Sequence, residues 1–354
     1  MKKIIKIYFN DLNKFAYLYR QMILVTGGTG LVGSHLLVEL SKENESIRAI
    51  YRTKNKIELT KQIFIYYLGD DWGSYWDKIQ WVEADINDIE RLKIAFKGIS
   101  HVYHTAGFVS FYSTDFKSCI QTNRFGTANI VNLCLKYSVS KLAYVSSTAA
   151  VGGEENIPIT EVDKWKKTPL TSGYSVSKYL AEKEVWRGIE EGLNAVIINP
   201  CVILGPGNWD DSSLTIFKKA TKGLLFYPTG SNATVDVRDV AICLKKLMQS
   251  SFSNSRFLCI GSNQSIQHLL NTISDHAKVN RPRYSISKIW VRLLSILTLP
   301  IFKLIGKKPP LSKDAIHSAY KNLSYNRQKL ENALGHSFYT LDETIENSIR
   351  GRIQ

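Results

Sequence analysis

The chain has 354 residues, 44% of them hydrophobic and 22% charged, with a formal net charge of +15. This is ordinary globular composition, with apolar material for one large core or two smaller ones, and the length predicts about two domains. The positive charge forms no basic stripe interleaved with aromatics and no nucleic-acid motif, so it predicts a solvated surface suited to anionic ligands and no nucleic-acid partner.

Residues 1–21 start with basic residues but carry no continuous apolar run and no small-residue cleavage site. They are a poor signal peptide and are read as an N-terminal extension before Met22. Five scattered cysteines without a C-x-x-C pair predict buried thiols in a reducing, cytoplasmic setting and no metal site.

From Met22 to about Pro200, short β-branched runs alternate with helical stretches. Strands are expected at Ile23–Val25, Ile47–Tyr51, Gln80–Glu83, His101–Thr105, Leu142–Ser146 and Ala195–Asn199, with helices such as Leu31–Ser41, Asn87–Phe96 and Phe116–Tyr137 between them. Such alternation predicts an α/β fold, a Rossmann-type doubly wound parallel sheet covered by helices on both faces.

The first strand runs into Thr26-Gly27-Gly28-Thr29-Gly30-Leu31-Val32-Gly33, a glycine-rich turn that opens a helix. Glycine lets the backbone turn tightly and approach a pyrophosphate, and the helix N-terminus then holds the negative charge. An NAD site usually has an acid at the tip of the second strand. Here Tyr51 is followed by Arg52, with Lys54 and Lys56 close behind, a set that can meet a 2′-phosphate, so NADP(H) is favoured over NAD(H).

Further on, Leu142–Ser146 leads into Ser147, and Tyr174-Ser175-Val176-Ser177-Lys178 begins a helix that puts Tyr174 and Lys178 on one face. A phenol titrates near pH 10, and an adjacent ammonium, with the positive charge of an oxidised nicotinamide, is expected to lower that value toward a useful acid/base. Ser147 could hydrogen-bond a substrate oxygen from the opposite side.

After Pro200 the texture becomes turn-rich, then strand-then-helix over Val235–Gln249, a strand at Arg256–Ile260 and mostly helix beyond. The expected organisation is a cofactor domain of 22–200 and 234–262, with a smaller, mostly helical substrate lobe of 201–233 and 263–350. Leu293–Phe302 is apolar but shorter than the roughly 20 residues a membrane span needs, so a buried or substrate-covering helix is expected. Shallow membrane contact there is the less favoured alternative.

On these residues the chain resembles the extended short-chain dehydrogenase/reductases, also called the NAD-dependent epimerase/dehydratase family, from about Met22 to Leu330. Besides the glycine loop and YSVSK, the motifs are Asp85 in ADIND, His104-Thr105-Ala106-Gly107, Asn123 in NRFGTAN, SSTAAVG and NPCVILGPG, all in the family's order. The resemblance implies that Gly27, Thr29, Gly30, Leu31, Val32 and Gly33 hold the pyrophosphate, while Asp85 and Ile86 meet the adenine. Thr105, Ala106 and Gly107 would line the cofactor's central stretch. Asn199, Pro200 and Val202 would border the nicotinamide. Ser147, Tyr174 and Lys178 would be catalytic, with Lys178 also on the nicotinamide ribose. Asn123 is a candidate for either a catalytic or a helix-packing role.

The nearest look is to dihydroflavonol-reductase-like and hydroxysteroid-dehydrogenase-like members, which implies an oxidoreductase acting on a carbonyl or secondary alcohol of a mostly apolar small molecule. Thr148-Ala149 replaces the acidic pair of the sugar-nucleotide dehydratases, and Asn232-Ala233-Thr234 lacks the arginine that epimerases place there. A sugar-nucleotide epimerase with tightly bound NAD is the alternative, and a non-catalytic cofactor-binding protein a third reading. The family pairing of helices near Phe116–Tyr137 and Tyr174–Glu190 implies a homodimer.

Overall fold

The structure is a computed structural model that describes residues 22–43, 46–304 and 312–353; the 1–21 extension lies outside the described residues. Its centre is a parallel sheet of seven strands: β1 (Met22–Thr26), β2 (Ile47–Tyr51), β3 (Ile79–Glu83), β4 (Ile99–His104), β5 (Lys141–Val145), β6 (Ala195–Pro200) and, past two strands of a second sheet, β9 (Ser255–Cys259). Their spatial order is β9-β6-β5-β4-β1-β2-β3. The chain therefore winds outward from β1 in one direction and from β4 in the other, so the gap beyond the carboxyl ends of β1 and β4 is the switch point where such sheets bind ligands.

The central strands are continuous apolar runs because both faces are covered. Side chains alternate between two cores: Ile23 and Val25 of β1 pack in one and Leu24 in the other. The first core is closed by α1 (Leu31–Ser41), almost wholly buried, which packs on α7 (Val237–Gln249). The second is closed by α4 (Gly126–Lys136) and α5 (Gly173–Glu190), which lie side by side.

Two features go beyond the sequence reading. After β2, α2 (Asn55–Leu68) lays Phe64 edge-on against Trp76, which in turn packs on Trp81 of β3. A second sheet joins β7 (Val202–Leu204), β8 (Ser231–Asp236) and β10 (Ser262–Ser265), with β8 parallel to β7 and antiparallel to β10. Around it α6 (Thr215–Ala220), α8 (Ile266–His276) and α12 (Leu341–Arg350) enclose a third core with Trp209 stacked on Phe217.

Of the two expectations for Leu293–Phe302, a buried or a substrate-covering helix, burial is not met. The segment belongs to α9 (Lys288–Leu304), and its Leu293, Leu294, Ile296 and Leu297 are exposed, while α9 packs through its other side on α10 (Lys313–Ala319). Apolarity in the sequence marks a side chain that prefers to leave water. It does not identify what will cover it.

Candidate active site

The glycine loop is shaped by its own lack of side chains. Gly27 has φ +71°, and a Cβ there would stand 2.6 Å from the backbone nitrogen of Ala106. A Cβ on Gly33 would fall 2.1 Å from the Gly27 carbonyl. Gly30 caps α1 in extended conformation without a side-chain acceptor, and the first turn carries no acid. The N–H groups of Leu31, Val32 and Gly33 thus head the helix without intrahelical acceptors. Thr29 sits half-buried at the bend. This is a cradle for a pyrophosphate, and a nicotinamide dinucleotide fits it on the backbone alone.

The carboxyl edge of the sheet supplies the rest. Beyond β2, the Arg52 side chain is 66% exposed, with a guanidinium nitrogen 3.7 Å from the Asp85 carboxylate, and Lys54 and Lys56 are exposed nearby. Asp85 accepts from the backbone and side chain of Asn87, at 2.9 and 3.1 Å. The neighbouring Ile86 is buried against Gly126 of α4, where a Cβ would meet it at 2.4 Å. The Thr105 hydroxyl donates to the Thr26 carbonyl at 2.6 Å. This holds the Thr105–Gly107 strip against the glycine loop.

Ser147 follows β5 and Tyr174 opens α5, capped by Ser172, whose hydroxyl accepts from the Ser175 N–H. The Tyr174 phenol is pushed up to about 12 by burial, and the Ser147 hydroxyl draws it back down. Lys178 is not among the groups that shift it. The lysine ammonium instead donates to the Tyr144 hydroxyl and to the Val145 carbonyl, each at 2.9 Å. Lys178 is buried, and desolvation brings it down to about 7 despite the carboxylate of Glu182.

A buried polar string continues behind Lys178. His104 stacks on the Tyr144 ring, its Nε2 lies 3.0 Å from the Thr127 hydroxyl, and its Nδ1 lies 2.7 Å from the Thr26 hydroxyl. Burial, with the nearby Lys178 charge, lowers His104 to about 3, so the imidazole is neutral and bridges the two threonines.

Asn123 stands in a π-helical turn, Ile120–Phe125, between Phe116–Cys119 and α4. Its amide oxygen accepts from the Phe108 N–H at 2.7 Å, and its nitrogen donates to the Phe108 carbonyl and the Ser177 hydroxyl. It clamps the strip after β4 to the helix that carries Tyr174.

Asn199 is engaged through its amide nitrogen. Expected beside the nicotinamide, its side chain is fully buried and donates to the Ser147 carbonyl at 3.0 Å and to Glu182 at 2.7 Å. It supports Ser147 from behind. Pro200 is buried, and Val202 is the member of this group that reaches the cleft. Glu182 itself was missed. Its carboxylate also accepts from Ser146, Trp186 and Arg256. Its signal was the four-residue spacing Tyr174, Lys178, Glu182, one stripe along α5.

A cleft of about 200 Å³ opens against the second sheet, lined by residues of β7, β8 and β10. Phe111, Val202, Ile216, Ile266 and Leu269 make its walls apolar, and Asn232, Thr234 and Gln264 add polar points. Asn232 and Thr234 belong to β8, which begins earlier than the strand expected at Val235.

The fold, the glycine cradle and the Ser-Tyr-Lys grouping define a nicotinamide-dependent oxidoreductase of the extended short-chain type. A family model described as the NAD dependent epimerase/dehydratase family matches residues 23–259, and the chain belongs to that family. Anthocyanidin reductase from Arabidopsis thaliana is 30% identical over 314 residues, covering 80% of this chain and 88% of that protein. The crystal structure of yeast methylglyoxal/isovaleraldehyde reductase Gre2 complexed with NADPH superposes with a TM-score of 0.71 at 21% identity, over 94% of this chain and 98% of that one. UDP-glucose 4-epimerase with UDP-glucose, from the hyperthermophilic eubacterium Thermotoga maritima, gives 0.70 at 19% identity, over 94% and 98%. The two structures share the fold alone; the reductase and epimerase activities they carry are equally compatible with it.

Proposed function

We propose that this protein is an NADP(H)-dependent carbonyl reductase or secondary-alcohol dehydrogenase for a mostly apolar small molecule. The observation that carries the reading is the buried Tyr174 phenol, which the Ser147 hydroxyl draws down, and a separate apolar cleft lined by Val202 suits an apolar substrate. The glycine cradle would hold the pyrophosphate and Arg52 the 2′-phosphate, whose charge an exposed guanidinium suits. A bound nicotinamide supplies or accepts the hydride.

Ser147 orients the substrate oxygen by hydrogen bonding. Tyr174 donates its phenolic proton to that oxygen in reduction and takes it back in oxidation. A phenol held near 12 is protonated at neutral pH, the form reduction needs. Lys178 supplies positive charge behind the pair and a hold on the ribose. The apolar walls of the cleft suit a mostly apolar substrate.

The test is to titrate the protein with NADPH and NADH by tryptophan quenching and to assay a panel of apolar ketones and aldehydes. Tighter NADPH binding and net NADPH consumption support the reading. NAD that copurifies, with no net consumption of reduced cofactor, would transfer the site to the epimerase reading.

A further inference from the structure

We propose that α9 docks this protein onto the surface of an anionic phospholipid bilayer, lying in the headgroup plane. The inference goes beyond the proposed reaction and does not depend on it. Among the described helices none is long and apolar enough to cross a membrane. Yet α9 leaves Ile289, Trp290 and Leu297 at 70%, 67% and 72% exposure, with Leu293, Leu294 and Ile296 exposed between them. At about 100° per residue these six positions occupy an arc of about 160° on one side of the helix. Val291, Ser295 and Thr298 fall on the other side and are at least partly covered, and α9 meets α10 through that half. Arg292 falls at the margin of the apolar arc, where a long cationic side chain can cover apolar surface and still reach phosphate.

The surrounding charge selects the occupant. Between Asp275 and Asp314 the sequence has nine lysines and arginines and no carboxylate. Arg283, Lys288 and Arg292 are exposed, and the exposed Tyr284 lies just ahead of the helix. An apolar face with an interfacial tryptophan and a basic rim is the pattern of a helix that lies on anionic lipid. A second copy of this chain would bring the same cations face to face. Like-charge repulsion therefore opposes self-association through this surface.

The experiment is co-sedimentation of the full chain with vesicles of pure phosphatidylcholine and with vesicles of equimolar phosphatidylcholine and phosphatidylglycerol. At least about tenfold stronger partition to the anionic vesicles is expected, falling with added salt. The double variant Ile289→Glu/Leu297→Glu should lose this binding, and Arg283→Ser and Arg292→Ser should each weaken it roughly fivefold. These side chains are exposed, so thermal melting should be unchanged. The fluorescence of the wild type should shift to the blue on anionic vesicles and that of Trp290→Phe much less. Equal partition to both vesicle types, or full binding by the double variant, would overturn the proposal. So would a wild-type dimer that the double variant makes monomeric, with no vesicle binding by either, since a second copy would then own the surface.

Discussion

The ammonium of Lys178 lies 2.9 Å from the hydroxyl oxygen of Tyr144, on the strand behind the Ser147–Tyr174 pair. Burial has already brought this lysine down to about 7, so its charge is held by two acceptors, Tyr144 and the Val145 carbonyl. Losing the Tyr144 hydroxyl should weaken the charged form further. Tyr144→Phe is expected to shift the pH dependence of turnover to lower pH and to reduce stability by about 1.5–3 kcal/mol, the usual worth of a hydrogen bond to a charged group. A pH–rate profile with thermal melts checks both, and an unshifted profile would remove Tyr144 from the positioning of Lys178.

The same lysine gives a stability signature. Its folded value of about 7 lies below the unfolded value near 10.4, so between these limits the unfolded chain binds more protons. The contribution of Lys178 to stability therefore rises with pH from about 7 to about 10, and below 7 the buried charge opposes folding in full. Melting wild type and Lys178→Met across that range should show the wild type gaining on the variant as pH rises. A pH-independent difference would mean that the lysine is not held near neutrality.

Tyr174→Phe removes the proton donor and leaves the cradle untouched. Turnover should fall by at least about a hundredfold, the lower end for a positioned general acid. NADPH affinity should stay within about twofold, since a change of only ~0.4 kcal/mol is expected. Stopped-flow turnover and fluorescence titration separate the two readouts, and retained turnover would exclude Tyr174 as the acid.

Arg52→Glu places an acid where a 2′-phosphate would sit. NADPH affinity should drop by at least about tenfold, or 1.4 kcal/mol, while NADH binding is unchanged or improved. Gly27→Ala should weaken both cofactors. A side chain at φ +71° would also collide with Ala106, so the variant should melt earlier as well. Parallel titrations distinguish a phosphate anchor from a general loss of the cradle.

Glu182 joins Ser146, Asn199, Trp186 and Arg256 in one buried network. Glu182→Ala leaves the Arg256 guanidinium without its carboxylate and should cost about 3–5 kcal/mol. Calorimetry should show a clear fall in Tm, with lower turnover as Ser147 loses its support through Asn199. Glu182→Gln should recover part of both, because the amide can still accept.

The sheet was legible in the sequence because each central strand is a short apolar, β-branched run closed by a turn, and every one of them was located to within two residues at either end. The glycine loop was legible too, since its conformation demands residues without a Cβ at fixed spacing. Ser147, Tyr174 and Lys178 could be nominated because a short strand-to-turn step and one helical turn set their local geometry. Neighbours that come from distant parts of the chain were not readable. Nothing local pairs Lys178 with Tyr144, ties Asn199 to Glu182 or turns Asn123 toward Phe108, and nothing local announces the burial that raises Tyr174. The apolar run in α9 shows the same limit, since its composition was plain but its exposure was not. Hydrogen-bond partners and solvent access are properties of packing between elements far apart in sequence, and only the tertiary structure decides them.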